Sequence, residues 1–147
     1  MGFALFDILL AAFLTATHSI GYFPSGEVFV GTVPGKTYMA IQAGFAKTRT
    51  AENSTVFKVN VIVSCGEKKV KEDIWFTLTD VDEDIYGVVD KEGKDLPKLH
   101  AFISKQCGVQ ATEETLDTYE FKKDSNKKYT MCQVEVGNDE DVILYRK

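Results

Sequence analysis

Between Thr55 and Ser64 the side chains alternate in character. Phe57, Val59, Val61 and Val63 share one parity, and Lys58, Asn60 and Ile62 share the other. Successive side chains of a strand point to opposite faces, so this pattern commits the segment to a β-strand with one face on a core. The segment from Lys69 to Leu78 repeats the pattern. Val70, Ile74, Phe76 and Leu78 form the core set, while Lys69, Lys71, Asp73, Trp75 and Thr77 form the other. The single tryptophan therefore falls on the polar parity, close to lysine. That placement suits a platform for stacking on a base or another flat ligand. The more common alternative is packing under a loop, a helix or a second subunit.

Other segments follow the same rules. Glu27 to Val33 reads as a short strand ended by Pro34-Gly35, and Lys36 to Lys47 as a longer one. Thr48 to Ser54 reads as a loop, and Asp80 to Asp84 as a solvated acidic loop followed by a polar connection to Gly93. Leu96 to Gln106 has the helical period, with Leu99, Phe102 and Ile103 inward, Asp95 as N-cap and Gly108 as stop. Lys128 to Val136 and Val142 to Arg146 are the closing strands, joined by a turn containing Gly137-Asn138-Asp139. A run of strands, one helix and two closing strands is the order of an OB-fold. The expected architecture is thus mainly β, an OB-like five-stranded barrel with one helix between strands 3 and 4, spanning residues 24–147 as one domain.

Residues 1–23 form a separate apolar segment. Phe3 to Leu14 is apolar apart from Asp7, and small residues follow up to Ser19. Its length and small residues fit an export signal, which would make the protein secreted. No basic residue precedes the run and Asp7 interrupts it, which favours a retained helix docked on a second copy or a protein partner through residues 3–14. The run is too short for a comfortable membrane span. Cys65, Cys107 and Cys132 are far apart in sequence and odd in number, so the expectation is three reduced thiols, no zinc site and a cytoplasmic location.

Pro24-Ser25-Gly26-Glu27-Val28, the Phe57-to-Val63 strand, Ile74-Trp75-Phe76-Thr77-Leu78 and the stretch from Leu96 to Val109 together resemble small phage single-stranded DNA-binding proteins of the OB-fold class. The resemblance implies non-catalytic binding of single-stranded DNA or RNA, in phage replication or recombination, by an oligomer in the host cytoplasm. The competing reading is a structural or secreted interaction protein. The aromatic candidates on the non-core parity of three strands are Trp75, Tyr38 and Tyr129. The candidate phosphate contacts are Lys47, Arg49, Lys58, Lys69 and Lys71. Lys122, Lys123, Lys127 and Lys128 surround Asp124-Ser125-Asn126 and read as a solvated tip. The net charge of −5 leaves room only for a local basic groove. Two histidines, no nucleophile elbow and no phosphate loop give no ground to expect an enzyme, a cofactor or a metal.

Overall fold

The computed structural model describes residues 21–138 and 140–147. The apolar segment at 3–14, read above as a docking helix or an export signal, lies outside them, as does Asp139. Eight strands follow one another: β1 (Val28–Val33), β2 (Lys36–Arg49), β3 (Thr55–Cys65), β4 (Val70–Asp82), β5 (Ile85–Val89), β6 (Thr118–Lys123), β7 (Tyr129–Glu135) and β8 (Asp141–Arg146). Each pairs antiparallel with the next, and β8 returns to β1 through Phe29↔Arg146 and Val30↔Tyr145, which closes the barrel. The expected five-stranded OB barrel with its helix after strand 3 is therefore corrected. The barrel is an eight-stranded meander, and its helix α1 (Asp95–Gln106) lies between β5 and β6.

Two strands concealed themselves, for identifiable reasons. β5 is only Ile-Tyr-Gly-Val-Val, set between an acidic run and a polar connection. β6 places Tyr119 and Phe121 inward but ends in the lysines of the tip. The acidic run itself is half strand, because β4 continues to Asp82.

The inward parity of all eight strands fills the barrel. Phe29, Phe45, Tyr86, Tyr119 and Phe121 are buried there with Val59, Val61, Val134 and Leu144. Eight strands leave an interior that either side chains or one small ligand can fill, and here rings occupy it. Phe45 and Phe121 meet at 4.9 Å and 78°, an edge-to-face contact. At one end the chain before β1 folds inward as a strap. Phe23 sits among Phe57, Tyr86 and Phe121, with centroids 4.6, 5.1 and 6.3 Å away.

Along β4, β5 accompanies only the half from Thr77 to Asp82. Beside the other half lies α1, with Lys98 paired to Glu72 at 3.3 Å. Leu99 and Ile103 enter the core as their period predicts. Asp95 does not cap the helix. Lys94 holds the N-cap position without a side-chain bond, and Asp90 Oδ2 accepts the Leu96 N–H at 2.9 Å instead. A Cys65–Cys107 disulfide, with Cα atoms 5.2 Å apart, ties the helix end to the end of β3. The expectation of three reduced thiols is corrected: the free cysteine among the described residues is Cys132, buried inside the barrel.

The disulfide spans 42 residues, and closing a loop of that length in the unfolded chain is worth about 4 kcal/mol. Reductant should lower the unfolding free energy by about that amount, measured by urea titration with and without dithiothreitol. A Cys65→Ala/Cys107→Ala variant should be less stable from the start and insensitive to reductant. Equal stability of the reduced and oxidised wild type would contradict the pairing.

Candidate binding surface

Cross-strand register sets the outer wall. Val28, Gly44, Asn60 and Trp75 form one row across β1 to β4, because they pair successively. Trp75 stands outward on this row and is 55% exposed. It belongs to the polar face, as the alternation around Ile74 and Phe76 requires. Beside it, Asn60 Nδ2 donates to Asp73 Oδ1 at 2.6 Å and to the Ile74 carbonyl at 3.4 Å. These two bonds hold a flat polar ledge next to the indole.

A groove of about 660 Å³ opens on the same wall. Its near side is Trp75, Thr77, Lys58, Val56 and the β2 end from Thr48 to Thr50. Its far side is the connection from Val89 through Asp90, Lys91 and Glu92 to Asp95. The far side exists because β5 ends at Val89 and the chain crosses the surface to reach α1. Charges of both signs line the groove. Arg49 and Lys58 face a far side that carries Lys91 together with Asp90, already engaged by the Leu96 amide, and Glu92, 3.6 Å from Lys94.

Of the residues singled out from the sequence, the groove unites Trp75, Arg49 and Lys58. Tyr38, Lys69 and Lys71 lie toward the other end of β3 and β4. Lys71 pairs with Ser64, and Lys69 occupies the turn before β4 with φ 48°. Tyr38 is 48% exposed there. Lys47 turns to the strap end, its Nζ 5.7 Å from the centre of the Phe57 ring, a cation–π contact.

Tyr129 is no open platform. Its ring stacks on Tyr22 of the strap at 3.9 Å, and its hydroxyl donates to Asp84 Oδ2 at 2.7 Å. Asp84 Oδ1 accepts the Tyr22 N–H, also at 2.7 Å. One carboxylate from the acidic run thus clamps the strap to the barrel. At Gly21 a Cβ would lie 2.4 Å from the Asp84 amide nitrogen, so only glycine passes this corner. Sequence reasoning did not find the clamp, since nothing local distinguishes Asp84 from its acidic neighbours. The hint was Gly21 immediately before two aromatic residues.

No family model, curated protein or solved structure matches this chain. Among the described residues no helix is long and apolar enough to cross a membrane, and no three His, Cys, Asp or Glu side chains gather in a metal-ligating group.

The clamp has an alkaline signature. The hydrogen bond to Asp84, reinforced by desolvation, pushes the Tyr129 hydroxyl up to about 12, and burial pushes Tyr86 up to about 12. A group whose folded-state pKa is raised holds its proton more tightly when folded. Its stabilisation is full below the unfolded value near 10 and fades as pH rises toward 12. Stability should therefore fall between pH 10 and 12, and Tyr129→Phe should flatten that fall while lowering stability at neutral pH. Denaturant titrations at pH 8, 10 and 11.5 read both effects. An unchanged alkaline slope in Tyr129→Phe would show that the clamp is not formed.

Proposed function

We propose that this protein is an exported, non-catalytic recognition barrel that binds a protein partner on its outer wall, in the groove beside Trp75. The observation that carries the reading is the contrast between inside and outside. The interior is filled by rings, while the only tryptophan stands exposed at a groove with an arginine and two lysines. Trp and Arg are the side chains that most often dominate protein–protein binding energy. Alternating signs around the groove suit the mixed charges of a protein surface. A phosphate backbone laid along it would meet Asp90, Glu92 and Asp95 as well as the cations, which weighs against single-stranded nucleic acid.

Export is supported from two directions. The sequence before the strap carries an apolar run followed by small residues up to Ser19. A bond such as Cys65–Cys107 persists best in an oxidising compartment, which supports the reading. Under this reading the strap residues Tyr22 and Phe23 stand a few positions from the start of the processed chain.

Trp75→Ala and Arg49→Ala should each weaken binding to the surface of cells carrying the partner, by about 2 kcal/mol or some thirtyfold, with the thermal midpoint unchanged. Flow cytometry with fluorescent protein measures this. An oligothymidine should leave the Trp75 fluorescence unaltered at both 20 and 200 mM salt. Quenching that disappears at the higher salt would overturn the proposal in favour of nucleic-acid binding.

A further inference from the structure

We infer that Asn53 is an acceptor for N-linked glycosylation. The chain reads Asn53-Ser54-Thr55, which has the acceptor pattern of asparagine, any residue but proline, and serine or threonine. Of the four asparagines, Asn60, Asn126 and Asn138 have Ile62, Lys128 and Glu140 at the decisive position. The inference rests on the export reading, because the transferring enzyme works in the secretory lumen.

The fold leaves this tripeptide in the open, where an attached glycan meets no packed element. It occupies the hairpin tip between β2 and β3, and all three of its residues are exposed. The tip is a compact turn, in which Asn53 N–H donates to the Thr50 carbonyl at 3.0 Å and Thr50 N–H to the Ser54 carbonyl at 2.9 Å. Asn53 sits in the left-handed region at φ 64°, which asparagine tolerates better than most residues. Among the described residues its carboxamide is held through Oδ1, 3.5 Å from Arg49 Nη1, the outer limit of a hydrogen bond. Thr55 opens β3 opposite Arg49 and fixes where the tip begins.

In the transfer, Asn53 Nδ2 bonds to the anomeric carbon of a lipid pyrophosphate-linked oligosaccharide. The bond from that carbon to the pyrophosphate oxygen breaks, the lipid pyrophosphate leaves with the electron pair, and one amide proton passes to the enzyme. The product stands at the mouth of the Trp75 groove, since Thr50 and Val56 line both the tip and the groove. Its attachment point is set back from the indole. Trp75 pairs with Asn60, five residues further along β3 than Thr55, or about 17 Å at strand rise.

The test is cell-free translation of the full chain with microsomes. The expected result is a protease-protected product with one increment of glycan mass, removed by peptide N-glycosidase. Asn53→Gln and Thr55→Ala should each abolish the increment, and Thr55→Ser should retain it. A product that is translocated and trimmed but carries no glycan would overturn this inference and leave the export reading standing. An increment that survives Asn53→Gln would overturn it as well. Failure to enter the microsomes would overturn the export reading and this inference with it.

Discussion

Everything in this molecule depends on the return of β8 to β1. The contact is short, with two register pairs, and the backbones come close at Gly31. A Cβ there would lie 2.9 Å from both the Ile143 carbonyl and a Leu144 methyl, so the seam closes because residue 31 has no side chain. Closure removes the open sheet edges that would otherwise invite pairing with another chain. It also fixes an interior that side chains must fill. The aromatic cluster of Phe29, Phe45, Tyr86, Tyr119 and Phe121 answers that demand.

A filled interior leaves the outer wall as the surface open to other molecules. Where one sheet face is solvated, the side chains that do not pack are the ones free to meet a partner, and alternation decides which these are. Trp75 and Asn60 are neighbours on that wall because β3 and β4 pair at that position. The groove beside them comes from the shortness of β5 and the crossing of its connection to α1. The two stabilising devices at the barrel's margins are of different kinds: the Asp84 clamp holds the strap by hydrogen bonds and ring stacking, and the disulfide holds the helix covalently. Cys132, enclosed in the wall interior, has its thiol pushed up by burial, which keeps it from competing as a thiolate.

Much of this was legible in the amino-acid sequence, wherever a segment was long and strictly periodic. Strands β2, β3 and β4 and the helix emerged within a few residues, as did the inward Leu99 and Ile103 and the outward Trp75. The fold class did not, because it turned on β5 and β6. A five-residue strand containing Gly87 and a six-residue strand ending in lysines carry too little pattern to outweigh their polar neighbours. The site was legible in part. Parity placed Trp75 and Lys58 outward, but parity says nothing about which end of a strand a residue occupies, so Tyr38, Lys69 and Lys71 were grouped with residues far along the same wall. The stacking and hydrogen bond of Tyr129 were hidden because its partners, Tyr22 and Asp84, are 107 and 45 positions distant. The Cys65–Cys107 pairing was hidden for the same reason: it depends on where α1 crosses the barrel.

Peptide mapping of the protein from its natural source, digested without reduction, tests the central claim most directly. A closed barrel stapled by the Cys65–Cys107 bond predicts a cross-linked species joining the peptides of Cys65 and Cys107, with Cys132 as a free thiol. Recovery of all three cysteines as thiols, or a bond that involves Cys132, would contradict it.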